Sequence, residues 1–177
     1  MEKLGLVHIY YGDGQGKTSA AVGLAVRVCG SGSIVLYTQF LKNGRSSELK
    51  SLRLLSDGIE LLLPEPCTKF VFQMTAQERQ RVALEQTACF RQAVQKVSAD
   101  SYRLLVMDEI MDAVLLGMID REEFFQFLRD KPRELEVAIT GHTMLEGLPV
   151  LADYISEVKK VKHPYDQGVT ARLGVDC

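Results

Sequence analysis

Six short apolar runs punctuate the chain, and between them the apolar residues recur at helical spacing. The runs GLVHIYY (residues 5–11), SIVLYTQF (33–40), GIELLL (58–63), YRLLVMDE (102–109), LEVAITG (135–141) and YISEVKKV (154–161) read as strands. Strands this apolar, separated by helical stretches, belong to a parallel sheet covered on both faces. Lys17 to Cys29 is predicted as the first helix, closed by the Gly30-Ser31-Gly32 turn. The longest helix is expected after Met74, where Thr75 and Glu78 form a capping box; Asp120 with Glu123 marks a second such start, and Lys131-Pro132 ends that helix. The segments KNGRSS (42–47) and PEPCTKFVFQ (64–73) interrupt the alternation and are expected to be functional loops. The closing KHPYDQGVTARLGVDC is predicted to be an irregular tail folded back on the domain.

With 177 residues, 46% of them hydrophobic and 25% charged, the chain can bury one substantial core, so a single α/β domain over 1–177 is expected. A formal net charge of −2 gives no basic footprint for nucleic acid, although local donors are enough for a small anion. Cys29, Cys67, Cys89 and Cys177 lie scattered without a C-x-x-C pair, which indicates reduced thiols rather than a zinc site or disulfide framework. The start MEKLGLVHIYYG lacks the layout of a signal peptide, and no apolar run reaches membrane-spanning length; no membrane association and a cytoplasmic location are expected.

The chemistry concentrates in YYGDGQGKTSAA, which begins at Tyr10. Gly12, Gly14 and Gly16, with Asp13 and Gln15 between them, let backbone N–H groups turn around an anion, and the helix that starts at Lys17 adds the positive end of its dipole. Lys17 supplies an ammonium for phosphate oxygens, Thr18 a hydroxyl for a magnesium ion, and Ser19 completes the loop. Tyr11 stands where such a motif usually opens with glycine. A second element supports the reading: LLVMDE is an apolar strand ending in Asp108 and Glu109, carboxylates that can face the metal at the sheet's carboxyl edge. A plain strand-turn-helix connection does not account for three glycines and a lysine together. Nucleotide plus magnesium follows, while the same cradle serves hydrolases, kinases and other transferases.

Taken together, the stretch from GLVHIYYGDGQGKTS to QFLK, with VMDEI, AITG and the closing LADYISEVKKVKHPYDQGVTARLGVDC, resembles the bacterial ATP:corrinoid adenosyltransferase family. The resemblance spans almost the whole chain and is most specific at Gln39-Phe40-Leu41-Lys42 and in the tail from Val161 to Val169. It implies a Rossmann-like P-loop α/β fold with a mainly parallel sheet flanked by helices, in a homodimer. The implied reaction moves the 5′-deoxyadenosyl group of ATP to the cobalt of a reduced corrinoid, cob(I)alamin or a cob(I)yrinic acid derivative such as the a,c-diamide, with triphosphate leaving. Magnesium or manganese and a flavoprotein reductant belong to the same expectation. Carried onto this chain, Gly12 to Thr18 hold the triphosphate, Lys17 is its cation, and Thr18, Asp108 and Glu109 form the metal environment. Phe70 and Phe72 lie under the corrinoid, where a donor-free apolar face suits four-coordinate cobalt, and Lys42 meets substrate. Lys17, Glu109 and Phe70 are the expected catalytic residues.

The chain departs from the family pattern at several points. Gln15 stands where the loop often has lysine, His142 where arginine commonly follows Thr-Gly, and the chain has no tryptophan for the second aromatic position, which Phe72 takes. The non-glycine at Tyr11 fits the family. A generic P-loop NTPase or kinase, or a paralogue that binds nucleotide or corrinoid with little turnover, are the competing readings. His163 and Arg172 are open between ligand contact and plain surface, and His142 between phosphate contact and none. His8 is expected to be packed or at an edge, while Glu122 and Glu123 are expected to serve a helix start.

Overall fold

The structure, a computed structural model, describes residues 4–175; Met1, which opens the stretch expected to lack a signal-peptide layout, and Cys177, expected as a reduced thiol, lie outside them. Six strands, β1 (Val7–Tyr11), β2 (Val35–Gln39), β3 (Ile59–Leu61), β4 (Leu104–Asp108), β5 (Glu136–Gly141) and β6 (Tyr154–Glu157), form one sheet in the order β3-β2-β4-β5-β1-β6. Every pairing is parallel. The helices are α1 (Lys17–Gly30), α2 (Ser47–Arg53), α3 (Ala76–Ala99), α4 (Ile110–Leu115) and α5 (Arg121–Asp130). This is the α/β architecture that the apolar runs predict, and each run contains one strand.

Alternation along the strands divides the core in two. Val35, Tyr37, Leu104, Val106 and Ala138 pack with Ala21 and Ala25 of α1 and Leu49 and Leu52 of α2. Their neighbours Leu36, Leu105, Met107, Val137 and Ile139 pack on the opposite face with Phe90 of α3, Ile110 of α4 and Phe124 of α5. Strands buried on both sides cannot alternate polar and apolar residues, which is why they read as unbroken apolar runs.

α3 carries the capping box complete: Thr75 Oγ1 accepts from Glu78 N–H, and the Glu78 carboxylate accepts from Thr75 N–H. The second expected box forms only by half. Asp120 Oδ1 accepts from Glu123 N–H at 2.8 Å, but the Glu123 carboxylate takes a two-pronged bond from Arg91, because α3 lies within its reach. α2 and α4 follow from no sequence signal, since seven and six residues are too few to display a helical period; α2 begins at Ser47, inside the expected KNGRSS loop. β6 ends at Glu157 rather than continuing to Val161, because beyond it the backbone leaves the sheet to bond with the glycine loop. His8 is an edge-packed residue as expected, stacked on Tyr154 and hydrogen-bonded to Glu136.

Candidate functional site

The carboxyl ends of β1, β2, β4 and β5 converge where the β1–α1 loop, Lys42 and Asp108 meet, the edge at which open parallel sheets bind ligands. The loop's glycines divide into two jobs. Gly12 has φ +119, and a Cβ there would stand 2.4 Å from Val158 O; one at Gly14 would stand 2.8 Å from the same oxygen. Gly14 N–H donates to Val158 O at 2.8 Å, Val158 N–H to Tyr11 O at 2.7 Å, and Lys160 N–H to Asp13 Oδ1 at 3.0 Å. Gly12 N–H is likewise turned to the carbonyls of Gly141 and His142. These two glycines therefore seat the strap that follows β6, instead of both turning their N–H groups to an anion. Gly16 differs. It caps α1 at φ +115 with nothing within 4 Å of a Cβ, and the N–H groups of Lys17, Thr18 and Ser19 behind it have no acceptor inside the helix. Lys17 Nζ donates to Gly14 O at 2.9 Å, which folds the ammonium over the same loop.

Asp108 is fully buried, and its carboxylate gathers the site. Thr18 Oγ1 donates to Oδ1 at 2.9 Å, Thr140 Oγ1 donates to Oδ1 at 2.8 Å, and Lys42 Nζ lies 3.1 Å from Oδ2. Thr140 also accepts Glu109 N–H at 2.8 Å, which secures the turn out of β4, where Glu109 takes the left-handed φ of 59 that non-glycine residues rarely adopt. Gln39 Nε2 reaches Glu48 at 2.7 Å and Asp108 Oδ2 at 3.4 Å. Thr140 is a site neighbour that sequence reasoning missed. Its only trace is a polar residue at the end of an apolar run.

Lys42 stands at the centre of the acids. Its ammonium is 3.1 Å from Asp108 Oδ2, 3.3 Å from Glu109 Oε1 and 3.4 Å from Thr18 Oγ1. Burial pulls its pKa down, yet Asp108 and Glu109 outweigh that and leave it raised. Burial likewise pushes the Glu109 carboxyl up, opposed by Lys42 and reinforced by Asp108 and Asp112. The backbone beneath is pinned: Lys42 O accepts Cys67 N–H at 2.9 Å, and Leu41, at φ 57, donates its N–H to the buried Gln86 Oε1.

His142 and His163 come together although far apart in the chain: with Gln15 and Lys17 they line one cavity of about 300 Å³. Asp112 Oδ2 accepts His142 N–H at 3.0 Å and lies 3.2 Å from His142 Nδ1, and this bond holds the imidazole pKa above its ordinary value. His163 Nδ1 accepts Tyr165 N–H, which caps the short turn Pro164–Gln167. Beside it, Tyr11, Lys159 and Lys160 line a second cavity. Arg172 is exposed on the tail.

Phe70 and Phe72 project from the loop before α3, 69% and 82% exposed, with rings stacked 5.4 Å apart and 9° from parallel. Cys67 and Val71 are buried and anchor that loop. Lys69 holds the Glu78 carboxyl of the α3 cap down at about 2, and Cys67 ties the loop to Lys42. The aromatic pair is thus mounted on the backbone that carries Lys42, and it does not belong to the buried cluster at Asp108. Burial pushes the Cys89 thiol up to about 12, in keeping with unreactive cysteines.

A hydroxyl and two carboxylates are hard oxygen donors of the kind magnesium accepts when phosphate oxygens and water complete its shell. Among the described residues no cluster of three His, Cys, Asp or Glu forms a protein-only cage, so Thr18, Asp108 and Glu109 fit a metal that arrives with a phosphate. No described helix is long and apolar enough to cross a membrane.

A family model described as "ATP:corrinoid adenosyltransferase BtuR/CobO/CobP" matches residues 3–177. The "Corrinoid adenosyltransferase" of Escherichia coli (strain K12) is 30% identical over 175 residues, covering 99% of this chain and 87% of the relative. The "Corrinoid adenosyltransferase CobA" of Salmonella typhimurium has the same identity and coverage. The "Corrinoid adenosyltransferase" of Pseudomonas aeruginosa is 27% identical over 179 residues, covering 99% and 85%.

Proposed function

The chain belongs to the ATP:corrinoid adenosyltransferase family, and from that premise we propose that it transfers the 5′-deoxyadenosyl group of ATP to the cobalt of a cob(I)alamin or cob(I)yrinic acid derivative. The electron pair of cobalt(I) forms the cobalt–carbon bond at C5′, and the C5′–O bond breaks with its pair retained by the departing triphosphate. No water needs activating. The protein must instead hold C5′ against the cobalt and neutralise charge on the leaving group.

One observation carries the reading: the loop ending in Lys17 and Thr18 meets the buried Asp108 at the carboxyl edge of the sheet, under the strap from Val158 to Lys160. That strap leads into the family-specific tail, so the likeness and the anion cradle fall at one place. In this reading Lys17 and the N–H groups of the first α1 turn bind the triphosphate. Thr18, Asp108 and Glu109 would hold magnesium or manganese, which supplies further neutralisation of that charge. Lys42 serves the same oxygens. Phe70 and Phe72 offer the corrinoid an apolar face without donor atoms, which favours reduction of cobalt(II) by removing its lower ligand. A flavoprotein reductant, a single domain over the whole chain, a homodimer and a cytoplasmic setting accompany the proposal.

A second reading, binding with little turnover, draws on Gln15, which lines the cavity beside Lys17 where the family often has lysine. The two separate in one assay. Reduced cobalamin, ATP and magnesium mixed anaerobically with the protein are expected to give the absorbance change of a cobalt–carbon bond and one triphosphate per turnover. Tight binding of both ligands without that change favours the second reading. Corrinoid-independent release of ADP and phosphate would overturn both in favour of a hydrolase.

A further inference from the structure

The oxygens that surround the Lys42 ammonium are Thr18 Oγ1, Asp108 Oδ2 and Glu109 Oε1, at 3.4, 3.1 and 3.3 Å. They belong to the three side chains proposed to hold the divalent ion. One set of oxygens cannot serve both cations at once, because an ammonium and a divalent ion among the same ligands repel each other with little solvent between them. We propose that Lys42 is a tethered resident cation, which neutralises the Asp108–Glu109 pair in the nucleotide-free protein and is displaced when a divalent ion enters among the same oxygens. The inference rests on the metal-and-nucleotide reading above and adds an exchange that the reading does not require.

The chain is built for a move of the side chain alone. Cys67 N–H holds the Lys42 carbonyl, and Gln86 holds the N–H of Leu41, so the backbone at the end of β2 stays fixed while a flexible four-carbon stem carries the charge. The acids left behind are close and poorly solvated: Asp108 is fully buried, and the Glu109 side chain is 26% exposed. Gln39, which bridges Glu48 and Asp108, brings a further carboxylate to the rim. Such a group tolerates the loss of its ammonium only when another cation replaces it. The released ammonium then becomes a second lysine, beside Lys17, for the oxygens of the departing triphosphate. It would supply the positive charge that Gln15 withholds.

The test reads metal binding, separate from transfer. Manganese titrated into nucleotide-free protein and followed by its electron paramagnetic resonance signal is expected to bind Lys42→Met at least about tenfold more tightly than the wild type, since the competing charge is gone. Equal or weaker binding by a variant with a native circular dichroism spectrum overturns the exchange. A measurement on the wild type guards against a misfolded variant: manganese alone is expected to increase acylation of Lys42, read by peptide mass spectrometry, as the amine leaves its acid partners. Unchanged labelling under saturating manganese overturns the proposal. If manganese fails to bind either protein even with ATP present, the metal site itself is wrong and the exchange falls with it. A failure of adenosyl transfer alone shows in the anaerobic assay and leaves these readouts unaltered.

Discussion

The Thr18 hydroxyl donates to Asp108 Oδ1 over 2.9 Å, joining the first turn of α1 to the last residue of β4. The same oxygen accepts from Thr140 at the end of β5, so one buried carboxylate pins three elements that are far apart in sequence. The two threonines are expected to behave differently. Thr140→Val removes a donor from Asp108 and an acceptor from Glu109 N–H, both inside the fold, and should cost about 1–3 kcal/mol in urea unfolding. Thr18→Val keeps the Thr140 bond and should act chiefly on metal–nucleotide affinity. A Thr140 variant as stable as the wild type would show that its bonds are replaced by water.

Among the described residues, Lys17 Nζ hydrogen-bonds to the Gly14 carbonyl, on its own loop. Lys17→Met is therefore expected to leave the unfolding midpoint nearly unchanged while weakening nucleotide binding about 10- to 100-fold, the worth of a charge-assisted contact. Calorimetric titration with ATP and magnesium checks this. Unaltered affinity would remove Lys17 from the phosphate site.

Gly14→Ala brings a Cβ to within 2.8 Å of the Val158 and Lys159 backbone. Backbone cannot step aside as a flexible side chain can, so the strap must shift, and a loss of about 2 kcal/mol or more is expected, read as a lower melting temperature. Gly16→Ala meets open space and carries only the conformational cost of its φ of +115, about 1–3 kcal/mol. Only the Gly14 change should also loosen the strap, visible as faster amide exchange at Val158.

Phe70 and Phe72 are mostly exposed. Phe70→Ala is expected to change stability by no more than about 0.5 kcal/mol yet to lower the rate of adenosyl transfer. The spectrum of bound cobalt(II) corrinoid should also move from a four-coordinate toward a five-coordinate signal. Transfer at the wild-type rate would dismiss the lower-face role.

His142, raised above its ordinary value by Asp112, contributes stability that is fully present below the unfolded-state pKa and is lost as the pH rises through the folded one. Urea stability measured between about pH 6 and about pH 8.5 should accordingly contain a declining component that His142→Gln removes. The imidazole is well exposed, so solvent keeps this component small. Identical pH profiles for the two proteins would mean that the Asp112 bond adds nothing in solution.

The apolar runs, the glycine loop and the acidic end of the fourth run are properties of neighbours along the chain, and from them the sequence by itself determined six strands and a parallel sheet, and placed a glycine loop and an acidic strand end at its edge. The resemblance read from QFLK and the tail likewise needed only residue order. What the tertiary structure decided depends on which strands the sheet sets side by side. β4 lies between β2 and β5, and this alone brings Lys42 and Thr140 to Asp108. β6 lies beside β1, and this turns Gly14 from a phosphate donor into a seat for Val158. The half-made cap at Asp120, the short helices α2 and α4, and the meeting of His142 with His163 have the same origin. Hydrogen bonds and charge pairs act over a few ångströms of space, and no periodicity in the chain records which distant residues folding will place that close.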